Sequence, residues 1–215
     1  EHSFWRYRSA VRLPKPLETT LGAGWTPLLQ TDWNGAPVRM KADYLMTSGS
    51  FKDRGTAVML NYLKQVGVTS ILEDSSGNAG ASAATYAAAL GLGCRIMVPA
   101  AAPAAKKIQM AAMGAEVVPV LDSDGSSAVD NVEAILERLA ADGRADALFT
   151  CGSNRLLALT QRIGKKHGIP GQVAMEQLMA CGFGPCYICV KTFIVDGKKV
   201  LKRVCRDGPV FDIQE

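Results

Sequence analysis

The chain has 215 residues, of which 48% are hydrophobic and 20% are charged, and its formal net charge is +4. This composition is typical of a globular protein with one large domain or two small ones. The basic residues are spread along the chain, so we expect neither nucleic acid nor an anionic membrane as a partner. No apolar leader is visible at the start, and the first residue is not Met, which suggests a processed or truncated start in a cytoplasmic protein.

Helices and strands are predicted to alternate along most of the chain. The predicted strands lie at residues 38–41, 70–73, 94–98, 116–121 and 145–150, and the predicted helices at about 50–66, 79–90, 104–113, 128–141 and 154–167. This alternation predicts an α/β fold, with a parallel sheet that has helices on both faces. Two later β-like runs, 187–195 and 199–204, flank Asp196-Gly197, which is a strong hairpin signal. They predict a small Cys-rich β-hairpin domain after the α/β part.

The composition changes at two places, which we take as candidate boundaries. After Gly171 the chain becomes dense in Gly and Cys, so one boundary is placed near 169–171. Asp, Ser and Gly crowd together at 122–127, which is the second candidate. The predicted segments are therefore 1–121, 122–170 and 171–215.

Three of the six cysteines lie within nine residues, which indicates a metal site rather than disulfide bonds. The spacing C-x4-C-x2-C-x15-C is the plant-type [2Fe–2S] pattern. Gly182 and Gly184 lie in the first gap, where they permit positive φ and let backbone N–H groups turn toward the sulfurs. The predicted ligands are Cys181, Cys186, Cys189 and Cys205.

The surroundings of these cysteines lead to further expectations. The neighbouring apolar side chains are expected to exclude water from the cluster. These side chains are Met179, Phe183, Ile188 and Val190. The alternatives are a structural zinc site, which usually has paired C-x2-C knuckles, or unligated cysteines. Cys94 and Cys151 lie in apolar stretches, so we expect them to be buried, inert thiols.

Sequence motifs in residues 122–215 resemble the end of the electron-transfer subunit of dihydroorotate dehydrogenase B. The motifs are Cys151-Gly152, the stretch 168–173, the cysteine loop 179–189 and the stretch 204–212. The resemblance implies that electrons pass from NADH to FAD and then through the cluster to a flavin in a partner subunit, in pyrimidine biosynthesis. It also implies that the four cysteines are ligands and that a flavoprotein is the partner. Ser153 replaces the proline that follows Cys-Gly in this family.

A different chemistry is predicted around Lys52. Ser50 is expected to cap a helix, with Asp53 as its capping-box partner and Lys52 in the first turn. The positive end of the helix dipole disfavours the ammonium form of a lysine, which leaves an amine free for covalent catalysis. Such a lysine can bind the aldehyde of pyridoxal phosphate, a cofactor that acts as an electron sink.

The stretch 73–80 is a second candidate site, because a Gly-containing loop that leads into a helix is a ready anion site. A substrate carboxylate is the expected occupant. Each feature alone has a plain structural explanation, namely a surface lysine and an ordinary turn. Both features in this order, on consecutive βα units, are much less expected by chance.

Residues from about 5 to 121 resemble fold-type II pyridoxal phosphate enzymes of the tryptophan synthase beta-like superfamily, and threonine synthase most closely. The motifs are at 21–27, 50–55, 74–80 and 114–118, and Ala23 replaces a glutamate that the family usually has. The resemblance implies that Lys52 is the catalytic lysine that binds the cofactor and that Asn78 hydrogen-bonds the ring hydroxyl. It implies that the substrate carboxylate is held by Ser75, Ser76 and Gly77. Threonine synthase is a lyase that converts phosphohomoserine, a small amino acid, to threonine by γ-elimination and rehydration.

The two resemblances predict a fusion of two partial families. The segments would be a partial pyridoxal phosphate domain, the end of a ferredoxin-reductase-like NAD-binding region, and a [2Fe–2S] domain. Three functions follow: an electron-transfer module, a lyase of threonine synthase type, and an inactive fusion or truncated product. Electron transfer ranks first because all four cluster ligands are present. Incomplete sheets leave edges to be covered, so we expect a homo-oligomer or a partner subunit.

Overall fold

The computed structural model describes residues 3–11, 13–120 and 128–215. The chain divides into two compact units, Glu1–Leu121 and Asp122–Glu215. The predicted seam at 122–127 lies outside the described residues. None of the helices in the described residues is long and apolar enough to span a membrane.

The N-terminal unit begins with a 3-10 helix and an antiparallel hairpin. The 3-10 helix is Phe4–Ala10, and the hairpin strands are β1 (Leu28–Trp33) and β2 (Ala36–Lys41). The turn residues Asn34 and Gly35 have φ values of 51° and 81°, and this conformation matches the twist of paired strands. The strand predicted at 38–41 is therefore part of β2, and its partner β1 was not predicted.

A parallel three-stranded sheet forms the rest of this unit. Its elements are α1 (Asp53–Gln65), β3 (Ser70–Asp74), α2 (Asn78–Leu90), β4 (Gly93–Pro99), α3 (Ala104–Ala112) and β5 (Glu116–Val120). The strand order is β3-β4-β5, with Ile71 opposite Cys94 and Ile96 opposite Val117. Because α2 consists largely of alanine, it can lie close to the strands, where Ala84 packs with Ile96.

The C-terminal unit contains a second three-stranded sheet and a hairpin. Its elements are α4 (Ala128–Ala141), β6 (Leu148–Cys151), α5 (Asn154–His167), β7 (Gly171–Ala174), β8 (Val190–Val195), β9 (Lys198–Arg203), α6 (Val204–Asp207) and β10 (Val210–Asp212). The sheet order is β10-β7-β6, with β6 and β7 parallel. Strands β8 and β9 pair across Asp196 and Gly197, whose φ values are 50° and 73°, so the predicted hairpin is confirmed.

Aromatic packing joins this hairpin to the sheet. The ring centres of Phe193 on β8 and Phe211 on β10 lie 4.4 Å apart. The backbone N–H of Ile194 donates a hydrogen bond to the carbonyl oxygen of Glu215, at 3.1 Å.

The predicted boundary at 169–171 lies at the start of β7, a strand that pairs with β6. The whole chain is α/β, with a helix-flanked parallel sheet followed by a small antiparallel hairpin region that carries the cysteines.

Candidate functional site

Lys52 lies at the N-cap position of α1, directly before the first helical residue. Its side chain is exposed, and its Nζ atom lies 5.0 Å from the centre of the Phe51 ring. The backbone N–H of Lys52 donates a hydrogen bond of 3.2 Å to Ser50 Oγ, which holds the turn that precedes the helix. Ser50 is therefore not the N-cap residue that was predicted, because the helix begins only at Asp53. The amine therefore belongs to a residue at the positive end of the α1 dipole, and it is accessible to a ligand.

Asp53 does not take the predicted role of capping-box partner. It is fully buried, and its carboxylate accepts hydrogen bonds from Ser48 N (2.9 Å), from the Ser48 hydroxyl and from the Ser82 hydroxyl (2.6 Å). The prediction was wrong because a capping box describes only local partners, whereas Ser82 belongs to α2. The carboxylate joins the turn that carries Lys52 to the helix that follows the Ser-Ser-Gly-Asn loop.

Arg54, the next residue of this motif, anchors α1 to the segment after the hairpin. Its two terminal nitrogens lie 2.7 and 2.8 Å from the two carboxylate oxygens of Asp43. The hydroxyl of Thr26 also donates to this carboxylate, at 2.9 Å. The hydrogen bonds from Arg54 are the largest cause that lowers the pKa of Asp43, which falls to about 2. The Arg54–Asp43 ion pair thus fixes the start of α1, in addition to the hydrogen bonds of Asp53.

Glu73, at the end of β3, is electrostatically linked to Lys52. Burial is the main cause that raises the pKa of Glu73 to about 7; the charge of Asp74 raises it further, and the charge of Lys52 opposes this. Burial also raises the pKa of Asp74, and burial with the charge of Glu73 raises that of Cys94 to about 11. The charge of the candidate catalytic amine therefore acts on the Glu73 carboxyl at the end of β3.

The Ser-Ser-Gly-Asn loop closes around Ser75. The hydroxyl oxygen of Ser75 accepts hydrogen bonds from Gly80 N (3.0 Å) and Gly77 N (3.4 Å), and Ser75 N donates to Met97 O on β4. A Cβ atom at position 80 would lie only 2.7 Å from Ser75 O, so this position requires glycine. The loop therefore brings the predicted residues Ser75, Ser76 and Gly77 together at the start of α2.

Asn78, the first residue of α2, is held by a residue that the sequence did not single out. Its Oδ1 atom accepts a hydrogen bond of 2.7 Å from Lys106 Nζ on α3. Lys106 Nζ also donates to Gln109 Oε1 (3.1 Å), and Gln109 Nε2 donates to Ser48 O (2.9 Å). Since Ser48 also binds Asp53, a continuous hydrogen-bonded path leads from Asn78 to the turn that carries Lys52. The local sequence signal is weak: two polar residues spaced one turn apart on α3.

In the C-terminal unit, the four predicted cluster ligands form two pairs. A hydrogen bond joins the side chains of Cys181 and Cys186, and another joins those of Cys189 and Cys205. The charges of the first pair also reach Cys205, so the pairs are neighbours. Within the described residues, no three His, Cys, Asp or Glu side chains converge on one metal position. Two pairs suit a cluster of two irons, in which each iron takes two thiolates from the protein.

Backbone N–H groups donate to the sulfurs, as the glycines in the loop predicted. Gly184 N lies 3.3 Å from Cys181 Sγ, and Cys205 N lies 3.4 Å from Cys189 Sγ. Gly182 and Gly184 have φ values of 72° and 110°. Backbone hydrogen bonds, chiefly from Cys186, lower the pKa of Cys181 to about 6, and those from Cys205 lower the pKa of Cys189. The Cys189 thiolate accepts a hydrogen bond from Cys205, whose pKa rises to about 11.

Two expectations about the surroundings of the cysteines were wrong. Met179, Phe183 and Ile188 are 47%, 72% and 59% exposed, so they do not shield the cysteine loop from water. Val190, the fourth of these side chains, is half-buried. Cys151 is exposed because it lies at the end of β6, whereas Cys94 is half-buried.

Comparison with known proteins identifies both parts of the chain. The family model for pyridoxal-phosphate dependent enzymes matches residues 19–162, about two thirds of the chain. The chain belongs to the pyridoxal-phosphate dependent enzyme family. The model for the iron–sulfur cluster binding domain of dihydroorotate dehydrogenase B matches residues 176–215. The combination of a pyridoxal phosphate domain with an iron–sulfur domain is consistent with a fusion.

Curated relatives of the two kinds match different shares of the chain. The threonine synthase of Halalkalibacterium halodurans is 37% identical over 135 residues, which are 59% of this chain and 38% of that protein. The electron transfer subunit of dihydroorotate dehydrogenase B (NAD(+)) of Caldanaerobacter subterraneus is 34% identical over 100 residues, 46% of this chain and 40% of that protein. The chain thus spans no more than about 40% of the length of these relatives.

Among solved structures, a hydrogen sulfide-producing enzyme from Fusobacterium nucleatum superposes with a TM-score of 0.45 and 21% identity, covering 72% of this chain and 63% of that one. The two family models imply pyridoxal phosphate and an iron–sulfur cluster as cofactors. The residues fit both groups. An exposed amine at a helix start suits an aldehyde, and two adjacent thiol pairs with N–H donors suit a cluster.

Proposed function

We propose that residues 176–215 hold a [2Fe–2S] cluster and transfer single electrons to a flavoprotein partner. The observation that carries this proposal is the arrangement of the cysteines as two neighbouring pairs. When bound, the cluster supplies a site that gains and loses one electron. The cysteines supply four thiolates, and the N–H groups of Gly184 and Cys205 stabilise the negative charge on the sulfurs.

The exposure of the cysteines indicates which side of the cluster would face the partner protein. Cys189 is 2% exposed, whereas Cys186 is exposed. Apolar side chains around the exposed cysteine also face solvent, including Phe183, Tyr187 and Ile188. Exposed apolar patches of this kind mark protein interaction sites. We infer that the partner docks on the Cys181–Cys186 side, where the path for an electron is shortest.

Anaerobic incubation of the full chain with iron and sulfide tests the proposal. We expect two irons and two labile sulfides per chain, and visible absorption that dithionite bleaches. Cys189→Ser should lose the cluster, whereas Cys151→Ser, which changes an exposed cysteine of the same unit, should retain it. One zinc per chain without sulfide would contradict the proposal and support the structural zinc site. Reoxidation of the reduced protein by a flavoprotein of the dihydroorotate dehydrogenase class then tests the partner.

A second function is supported by the path of hydrogen bonds between Asn78 and the turn of Lys52. We propose that the N-terminal unit binds pyridoxal phosphate and has lyase activity of threonine synthase type, with phosphohomoserine as substrate. The cofactor supplies an aldehyde and an electron-accepting ring. Lys52 would hold the cofactor covalently through its Nζ amine. Asn78 donates to the ring hydroxyl, and the substrate carboxylate is held by Ser75, Ser76 and Gly77.

Cofactor binding is tested independently of activity, because the chain spans only 38% of its threonine synthase relative. All three tryptophans lie in the N-terminal unit, so quenching of their fluorescence by pyridoxal phosphate measures binding there. Borohydride should then fix the cofactor on Lys52, as peptide mass spectrometry would show. Lys52→Ala should remove the mass increase, and Lys107→Ala should not. A chain that takes up neither metal nor pyridoxal phosphate would be an inactive fusion product.

A further inference from the structure

The contact between Lys106 and Asn78 determines how the Asn78 amide is oriented. Lys106 Nζ lies 2.7 Å from the oxygen of that amide. An ammonium group has three donors and no acceptor, so only the oxygen of an amide can face it favourably. The amide nitrogen of Asn78, which carries two donors, is therefore turned away from Lys106.

Lys106 itself is held in place by contacts with fixed donor and acceptor roles. Gln109 Oε1 accepts from Lys106 Nζ at 3.1 Å, and Gln109 Nε2 donates to the carbonyl oxygen of Ser48 at 2.9 Å. A carbonyl oxygen only accepts and an ammonium only donates, so the Gln109 amide has one favourable orientation. Lys106 is half-buried, which limits the positions open to its side chain. Each hydrogen bond between Ser48 and Asn78 therefore has a fixed donor and a fixed acceptor.

We propose that Lys106 is a positioning residue that orients the Asn78 amide, so that Asn78 Nδ2 donates a hydrogen bond to the ring hydroxyl oxygen of pyridoxal phosphate. This inference rests on the binding of the cofactor proposed above. Without Lys106, the amide can rotate by half a turn, because its terminal torsion is roughly two-fold. In the rotated state Oδ1 faces the ring oxygen, and two acceptors then oppose each other.

The chain offers a matched control on the same helix. Lys107 is the next residue of α3 and has the same side chain, but its Nζ donates to the carbonyl oxygen of Ala100, at 3.0 Å. Lys107→Met therefore removes an equal charge and one hydrogen bond of the lysine Nζ without touching Asn78. Lys106→Arg is the conservative variant, since a guanidinium also only donates.

The experiment measures the affinity of the full chain for pyridoxal phosphate and for 3-deoxypyridoxal phosphate, which lacks the ring hydroxyl. Tryptophan quenching gives both dissociation constants. We expect Lys106→Met to weaken pyridoxal phosphate binding at least tenfold and to change binding of the deoxy analogue less than twofold. Lys106→Arg should stay within threefold of the unaltered protein, and Lys107→Met should match it. In an Asn78→Ala background, Lys106→Met should have no further effect.

Other results would overturn the inference in distinguishable ways. Equal weakening of both ligands by Lys106→Met would show a general structural role for Lys106. Equal affinity of the unaltered protein for both ligands would leave cofactor binding intact and remove the role of Asn78. If the unaltered protein binds neither ligand, the proposed cofactor site fails and this inference fails with it. Circular dichroism of Lys106→Met and Lys106→Arg establishes that both variants are folded.

Discussion

The hydroxyl of Ser82 on α2 lies 2.6 Å from the buried carboxylate of Asp53 at the start of α1. The same carboxylate accepts two hydrogen bonds from Ser48. This one side chain therefore holds together the loop before Lys52, the first turn of α1 and the second turn of α2. The relative position of the candidate lysine and the Ser-Ser-Gly-Asn loop depends on it.

Replacement of Asp53 by alanine should destabilise the N-terminal unit. Three donors lose their acceptor inside the protein, so we expect a loss of about 3 kcal/mol in the free energy of unfolding. Urea unfolding followed by tryptophan fluorescence measures this. Ser82→Ala alone should cost less, and in the Asp53→Ala background it should cost almost nothing, because its partner is already gone. A change below about 0.5 kcal/mol for Asp53→Ala would contradict this role for the carboxylate.

Arg54→Lys should weaken the anchor between α1 and Asp43. A lysine cannot make the paired hydrogen bonds of 2.7 and 2.8 Å, so we expect a loss of about 1 kcal/mol at neutral pH. The stabilisation from Asp43 is present above its ordinary pKa of 3.8 and is lost as pH falls through about 2. Arg54→Lys should therefore also unfold at a higher pH during acid titration. Arg95→Lys, which alters an exposed ion pair with Glu116, should have almost no effect.

The N-terminal unit should become less stable as pH rises, because the Glu73 carboxyl then loses its proton. Its pKa is raised from 4.5 to about 7, so between these values the folded protein holds a proton that the unfolded chain releases. The free energy of unfolding should fall across this window by at most about 3 kcal/mol. Urea unfolding at a series of pH values measures this dependence, and Glu73→Gln should remove most of the fall in unfolding free energy. The rest of the fall should come from Asp74, because burial raises its pKa as well. An unchanged slope in Glu73→Gln would exclude Glu73 as its source; Glu116→Gln is the control.

Gly184→Ala should impair the cysteine loop. Gly184 has φ of 110°, which L side chains rarely adopt, and a Cβ atom would lie 3.1 Å from Arg206 Cδ. Strain should move the N–H that donates to Cys181 Sγ, so we expect less than half of the normal iron and sulfide content after incubation with both. Gly197→Ala also replaces a glycine of positive φ, but in the hairpin turn, and should keep the full content. Equal retention by both variants would show that this N–H is dispensable.

The local parts of the fold could be predicted from the sequence. Helix α5 begins and ends where predicted, because Ser153 Oγ accepts a hydrogen bond from Leu156 N and Gly168 adopts φ of 67° at the end. The hairpin at Asp196-Gly197 is confirmed for the same reason, since its turn residues determine the conformation. The hairpin at Asn34-Gly35 carries an equal signal that was missed, because its strands are almost entirely exposed and show no alternation of buried residues.

The contacts that assemble the candidate sites could not be predicted in this way. Lys106 meets Asn78 only because α3 packs beside α2, and no pattern around either residue encodes this packing. Asp53 was assigned to Ser50, its neighbour in sequence, but it binds Ser82 on another helix. The pairing of the cysteines likewise depends on α6 bringing Cys205 to Cys189. Motifs identified the chemical groups, whereas tertiary packing determined their partners. The domain boundaries and the homo-oligomer stay predictions.

The path that joins Lys52 to Asn78 has a consequence for gene recombination. Every residue in it, from Ser48 to Gln109, lies between positions 48 and 109. A crossover downstream of α3 transfers every residue of this path to the new gene. A crossover inside α3 separates Lys106 or Gln109 from the groups that they orient. Chimeric proteins that inherit the front of such an enzyme therefore have a minimal length, and that length includes α3.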